Sequence, residues 1–369
     1  MKIKCAKSDL VNSISIVSKA VASNKTSTSI LECILIEVAN GVIKFTANDR
    51  ELGIETRVKG EIKENGVVAV DANIFGNVTG RLPDGEVEIS SDTSYKVVIK
   101  CMKARFDLPG RSGEDFSGLP LIEKNDMITI SQYTLKEVIR QTIFATSSND
   151  NNKLLTGELF DIKGDKMRVA ALDGHRVAIR NIELRQSYEN KKVVIPGKTL
   201  SEISKILSGE IEKEVNIYFM TNHIVFEFDR TLIVSRLIEG EFFDVDRMLK
   251  DDYVTKVEVG KKLLQETIER AILLVKDNDK KPVVIGINDN SMEFKIKSPI
   301  GSMDEIVDTE KTGEDMIIGF NPKFVLDVLK VIDDEKIYIY MMDSKAPAFI
   351  KDDAGKYNYV ILPINFNTV

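Results

Sequence analysis

Asp173 and His175, in the string Leu-Asp-Gly-His-Arg-Val-Ala-Ile, come nearest of all residues here to a pairing that could do chemistry. An aspartate two positions from a histidine could form an acid/base pair or supply two metal ligands. Either use needs further partners. A Ser/His/Asp site requires a nucleophile held against the base, and no Gly-x-Ser-x-Gly string is present; a metal site needs more ligands, and His223 is the only other histidine. His223 follows Thr221 and Asn222 at an expected hairpin turn, where exposure to solvent is the simpler reading. No Gly-rich string of the GxxxxGK[ST] or GxGxxG type offers a phosphate cradle. The carboxylates show no paired spacing beyond what 30% charged residues would produce. A hydrolase with Asp173 and His175 in its site is therefore the weaker of the functional readings.

The elements that must position these residues come in triplicate. Apolar helix patterns start at Leu10, Leu135 and Leu263, and each is followed by a hairpin pattern: ILIEVANGVIKFTAND, ELFDIKGDKMRVAALD and PVVIGINDNSMEFKIKS. The first and third read as strands around Asn-Gly and Asp-Asn turns, the second as strands around Gly164. A second helix then recurs as ANIFGNVTGRL, GKTLSEISKIL and NPKFVLDVLKVI, each leading to another strand pair such as VNIYFMTNHIVFEFD. A repeat of about 120 residues is too long for a solenoid unit and implies three similar domains, each with its own core. Polar linkers place the cuts at 125 and 250, giving domains 1–125, 126–250 and 251–369. The linkers resemble each other, each joining a Gly-Glu to a Phe and an Asp.

The helices are amphipathic: Leu10, Ile14, Val17 and Val21 form one stripe, and Leu264, Ile268, Ala271, Ile272 and Val275 another. Helices beside antiparallel hairpins make the fold class α+β, each domain setting two helices against antiparallel sheet. Domains of this kind leave sheet edges unpaired, which neighbouring domains can cover by continuing the sheet, so that three form an arc.

Composition narrows the setting. The 369 residues carry a net charge of −7 and are 43% hydrophobic, enough for three cores and long-range repulsion of nucleic acid by the whole. Cys5, Cys33 and Cys101 are odd in number and form no CxxC, against a disulfide framework or structural zinc. A reduced, cytoplasmic compartment fits, and no apolar run has the length of a signal peptide or membrane span.

Basic residues flank the helix stripes. Lys198 with Lys205, and Lys323 with Lys330, stand seven apart; Lys136 with Arg140, and Lys262 with Arg270, are similar, and Lys7, Lys19 and Arg81 serve in the first copy. On one helix this is an ordinary solvated face. Recurrence in three copies points to a summed positive surface that grips phosphates without reading sequence. Trp is absent and no aromatic residues interleave on these faces, so double-stranded DNA suits it better than single strands.

Aligned by their hairpins, the copies set ALDGHRVAI against ANDRELGIE and IKSPIGSMDE. A turn needed by the fold should recur, and this one does not in sequence; the loop therefore reads as specialised for a partner. A turn with Gly174 at positive φ remains the plain explanation of the glycine.

Over its whole length the chain resembles the bacterial sliding clamp family, the DNA polymerase III beta subunits. The resemblance rests on the triple repeat, LDGHR in the second copy, the N-terminal MKIKC, FDLPG around Phe106, GFNPKFVLDVLKVI and the C-terminal YVILPINF. It implies a processivity factor without catalytic activity or cofactor: a head-to-tail homodimer of six similar domains in a ring, helices inside around duplex DNA and sheet outside. The closing contact then sets Phe106 against Ile272 and Leu273 of the other copy, with Lys96, Lys103 and Arg105 facing Asp304, Glu305 and Asp308. The implied partners are DNA, a second copy, the polymerase III alpha subunit, the clamp loader and other clamp-binding peptides.

The resemblance also implies a peptide pocket at Leu155, Leu172, Gly174, His175, Arg176, Val177, Phe243, Arg247, Met248, Pro347, Val360, Leu362, Pro363 and Ile364. Most are apolar, as Leu and Phe anchors require, with Arg176 and Arg247 at the rim. Leu172 stands where the family usually has Thr, Phe243 where Pro is usual, and Pro347 where a small polar residue is common. The tail runs Leu362-Pro363-Ile364-Asn365 and on to Val369 rather than ending in Met-Arg, so the preferred peptide is expected to differ. Lys25 and the loop Asn149 to Lys153 match DNA-contacting places without a full motif. A multidomain scaffold that binds peptides but not DNA is the third reading.

Overall fold

The computed structural model describes residues 1–22, 29–124, 126–149, 151–249, 252–275 and 281–366. Lys25 and the two cut positions, 125 and 250, lie outside the described residues. Among the described residues six α-helices fall where the repeat places them: α1 Lys7–Val17, α2 Ala72–Gly80, α3 Gln132–Thr142, α4 Gly197–Ile206, α5 Lys261–Ile272 and α6 Pro322–Leu329. Local chemistry starts several of them. The Asp71 carboxylate accepts from the Ile74 N–H at 2.8 Å to cap α2. Asn321 caps the Lys323 N–H at 3.0 Å, with Pro322 in the first turn of α6 where a missing N–H costs nothing. The stripes are buried as their spacing requires: Leu10, Ile14 and Val17 on α1, and Leu264, Ile268 and Ala271 on α5. Helix α1 begins three residues ahead of the apolar pattern, because Lys7 to Asp9 supply helical backbone without a buried side chain that the stripe could register.

The chain packs as two compact units, residues 1–135 with 202–237, and residues 136–201 with 238–369. In the first unit a five-stranded antiparallel sheet runs in the order Glu61–Glu64, Lys2–Ala6, Glu86–Ser91, Val97–Cys101, Ala104–Leu108. Its nine-stranded sheet draws on two copies of the repeat. Strand Leu52–Val58 of the first copy pairs with Thr231–Arg236 of the second, with Ile54 opposite Ile233. The second unit repeats the device: Arg176–Pro196 pairs with Tyr357–Ile361, with Val177 opposite Val360, in a seven-stranded sheet. A four-stranded sheet completes it in the order Gly301–Asp308, Ser291–Ser298, Val283–Asn288, Met316–Phe320. Sheets thus run from one copy of the repeat into the next. Pairing edge strands satisfies their backbone groups and fuses neighbouring copies into one sheet.

Two hairpins form at their expected turns; in the first, Asn40 and Gly41 both take positive φ, 51° and 75°. The middle copy differs in form. Gly157–Leu172 is one extended run whose register shifts about Gly164 (φ 62°): residues 157–162 pair with 191–196, and residues 166–172 with 177–183. His223 opens a strand half-buried rather than fully exposed. Cys5, Cys33 and Cys101 are buried free thiols, and burial pushes the Cys5 thiol up to about 12. No helix of the described residues is long and apolar enough to cross a membrane.

Candidate functional site

The turn at Asp173 is built from its own side chain. Asp173 Oδ1 accepts from the backbone N–H of His175 at 3.0 Å and of Arg176 at 3.2 Å, while Oδ2 accepts from Arg176 Nε at 3.0 Å. Gly174 has φ 89°, the left-handed region that a Cβ disfavours. The carboxylate therefore meets the backbone of His175, not its ring. That ring stacks on Phe324 instead, centroids 5.8 Å apart and planes 22° from parallel. No proton relay joins the two side chains, and among the described residues no group of three or more His, Cys, Asp or Glu could hold a metal.

The expectation that this turn is peculiar to the second copy is wrong. Asp49 in the first copy accepts at Oδ1 from the N–H groups of Glu51 and Leu52, at 3.0 and 2.8 Å, and Arg50 takes the left-handed place at φ 78°. In the third, Ser298 Oγ accepts from the Ile300 N–H at 3.3 Å. Sequence comparison missed this because any short side chain with an acceptor oxygen can close such a turn. What is specific to the second copy is the arginine.

Arg176 does not stand at a rim as expected; its side chain is 10% exposed. Nη1 donates to Asp327, Nη2 donates to the Phe144 carbonyl, and the guanidinium carbon lies 5.2 Å from the Phe144 ring and 4.6 Å from that of Phe324. A planar cation held by two carboxylates, a carbonyl and two rings is a fixed strut. Phe144, Phe324 and Asp327 carried no signal in the sequence, since they come from helical segments far from Asp173 in the chain.

The opposite face of the same sheet is apolar. Leu172, Val177 and Val360 are buried in one cluster with Leu159, Ile179, Phe242, Tyr340 and Phe349, against which Leu155 and Met248 pack half-buried. Leu172 lies opposite Val177, and Val177 opposite Val360, so the pleat carries all three to one side of the sheet. Around it stand side chains that keep exposure: Phe243 at 38%, edge-on to Phe242, and Leu362 at 39%. The Leu362 N–H donates to the His175 carbonyl at 2.9 Å, and the Ile364 N–H to the Gly319 carbonyl at 2.8 Å, holding the tail with Pro363 in place. Pro347 is half-buried, Gly174 and His175 are exposed, and Arg247 stands 86% exposed with Nε 3.0 Å from Asp244. All fourteen expected pocket positions thus lie in the second unit, most of them in or around this face.

The expected DNA-facing cations are less uniform. Lys153, Lys198, Lys205, Lys262 and Lys330 are exposed; Lys136 and Lys323 are half-buried. Lys205 sits 2.7 Å from Glu202, which also receives Lys19 at 3.4 Å, and Lys262 is 4.0 Å from Glu266. Arg140 bridges Glu137 and Asp333, at 2.6 and 2.8 Å.

At the expected closing contact, Phe106 lies 40% exposed on Ala104–Leu108, the outermost strand of its sheet; Ile306 is exposed on Gly301–Asp308, outermost in the other unit. Leu273 is exposed, whereas Ile272 packs against the core. Lys96 and Arg105 both approach Asp107, at 3.4 and 3.2 Å, and Lys103 is exposed. Asp304 is 3.8 Å from Lys295. Glu305 is held inside its own chain by Arg270 and the Thr267 hydroxyl.

Family models of the DNA polymerase III beta subunit match throughout: its N-terminal domain at residues 1–120, central domain at 129–244 and C-terminal domain at 246–365. The beta sliding clamp of Staphylococcus epidermidis is 30% identical over 365 residues, 96% of each chain. Among solved structures, a putative DNA polymerase III beta subunit from Eubacterium rectale is 56% identical with a TM-score of 0.97, and the sliding clamp of Bacillus subtilis 31% identical with a TM-score of 0.95; both align over 100% of each chain. Three domain models in order and full-length relatives with this fold mean that the chain belongs to the DNA polymerase III beta subunit family, the beta sliding clamps.

Proposed function

We propose that this clamp works as a head-to-tail homodimeric ring around duplex DNA, three clamp domains per chain joined near 125 and 250, and holds its partners by short peptides docked on the Leu172, Val177 and Val360 face. The observation that carries the peptide reading is the apolar cluster of Leu172, Val177 and Val360 with Phe243 and Leu362 exposed around it. The Arg176 strut fixes the Asp173 turn from the opposite face of the same sheet, which keeps that apolar side rigid. On this reading the chain catalyses nothing itself and acts in the cytoplasm, with polymerase, clamp loader and other peptide-bearing proteins as partners. Processivity then comes from topology, which needs no tight grip on DNA.

The ring is supported by the two open strands, Ala104–Leu108 and Gly301–Asp308, each outermost in its sheet and each with an exposed apolar side chain. Pairing one with the other on a second copy satisfies both edges. Among rim charges, Lys103 and Asp304 remain candidates to set register, whereas Glu305 acts through Arg270. For DNA, Lys198, Lys262 and Lys330 are candidate cations by their exposure, and Arg140 is held between two carboxylates.

The ring is tested by loading on circular plasmid and on the same DNA linearised: retention on circles only is expected, and equal retention on both defeats topological tethering. Peptide docking is tested with Phe243→Ala and Leu362→Ala, both exposed enough to leave the fold intact. Each should weaken a Leu- and Phe-bearing peptide about tenfold in fluorescence anisotropy, the scale of an apolar side chain lost from a pocket. Unchanged affinity in both would place the groove elsewhere.

A further inference from the structure

Resting on the peptide-docking reading, we infer that the groove continues into a second, polar subsite that takes an acidic side chain flanking the docked peptide's apolar anchors. The site is a cavity of about 510 Å³ on the seven-stranded sheet, lined by Ile179, Asn358, Lys351, Tyr340, Lys256 and Asp353 among others. Register places it beside the apolar floor. Val360 lies opposite Phe349, Phe349 opposite Tyr340, and Tyr340 opposite Lys256. In the next row on the same side, Ile179 lies opposite Asn358, and Asn358 opposite Lys351. Ile179 and Tyr340 belong to the cluster that holds Leu172, Val177 and Val360, and Leu249, which also lines the cavity, packs against that cluster next to Met248.

Three features define the occupant. Tyr340 holds two ammonium groups: Lys256 Nζ lies 5.2 Å from its ring centre and 4.4 Å from that of Tyr338, and Lys351 Nζ lies 5.0 Å from Tyr340. Two acids line the cavity as well, and the charge of Asp353 acts on Lys256. Asp352 Oδ1 accepts from the Tyr357 N–H at 3.1 Å, and Asp353 Oδ1 from the Tyr340 hydroxyl at 3.5 Å. Asn358 Oδ1 is buried with no donor to it, an acceptor that a ligand N–H would satisfy. A carboxylate for the lysines with a backbone N–H for Asn358 is what an Asp or Glu residue of an extended peptide presents. Aromatic faces beneath the lysines hold them in place and lower the entropy lost when the carboxylate arrives.

The test uses the full-length protein and a fluorescein-labelled hexapeptide with Leu and Phe anchors, alone or extended at either end by Gly-Gly-Asp-Asp or by the neutral Gly-Gly-Asn-Asn. At one end the acidic extension should bind three- to tenfold tighter than the neutral one, as expected of a partly exposed ion pair. The double variant Lys256→Gln, Lys351→Gln should abolish that gain and leave the unextended peptide's affinity unchanged. Equal binding of both extensions at both ends overturns the subsite and leaves peptide docking standing, and so does a gain that survives the double variant. Failure of the unextended peptide to bind overturns the docking reading and this subsite with it.

Discussion

Asp49 to Leu52 and Asp173 to Arg176 close the same turn with different sequences and for different ends. In each the aspartate N–H donates to the carbonyl of the fourth residue, at 3.0 and 3.4 Å, and the second residue is left-handed. Each fourth residue opens a strand that pairs with the next copy of the repeat. There the likeness stops. Leu52 is buried in an apolar core, whereas Arg176 reaches Asp173, Asp327 and Phe144 and braces, from the other face, the sheet that carries Leu172 and Val177. The fold needs only an acceptor oxygen and a tolerable left-handed residue; the fourth side chain decides whether the turn serves packing or a binding surface.

Exchanging that side chain breaks the comparison most severely. Arg176→Leu imports the first copy's residue but strands the Asp173 and half-buried Asp327 carboxylates, and it should cost about 3 kcal/mol of stability, read from the urea midpoint, with peptide affinity lost as well. Leucine tolerated there at full peptide affinity would show that the strut does not matter. Asp173→Ala and Asp49→Ala come next. Both lose two backbone N–H bonds, but only the first also removes the acceptor of Arg176 Nε, so it should destabilise by about 1 kcal/mol more.

A second contrast between the copies is titratable. By register Glu158 holds the place of Ile34, each one residue along a strand whose first residue pairs just ahead of the second helix of its copy. Both are fully buried, and burial raises the Glu158 carboxyl to about 8, against the opposing bond from the Thr142 hydroxyl at 2.8 Å. The folded protein thus keeps a proton that the unfolded chain releases above roughly pH 4.5, so stability falls as pH rises from there through about 8. Glu158→Gln should remove a slope of up to about 1.4 kcal/mol per pH unit in denaturant midpoints taken between pH 5 and 8; parallel curves for the two proteins would refute it. Smallest are the left-handed positions. Gly174→Ala should cost about 1 kcal/mol from φ alone, because a Cβ there meets nothing within 4 Å, and Arg50→Gly should gain a similar amount in thermal denaturation.

Much of this fold can be read from spacing. The stripes of α1 and α5 gave their buried faces, and Asn40-Gly41 gave a hairpin, because the 3.6 and 2.0 periodicities and left-handed φ are local properties of the chain. The candidate groove was reached through family likeness at Leu172, Val177 and Val360, since nothing local distinguishes these from other buried strand residues. Its polar neighbour was hidden for the same reason, Lys256, Tyr340 and Asn358 being distant in sequence and neighbours only across a ladder.

By itself the sequence determined three copies of one pattern, the elements within each, and the caps and turns that bound them, because each of these needs only residues a few positions apart. Tertiary structure decided where copies fuse, that Arg176 is a buried strut rather than a rim charge, and which cations already have carboxylate partners. Those outcomes depend on which distant segments meet, and burial, pairing and desolvation have no value until they do.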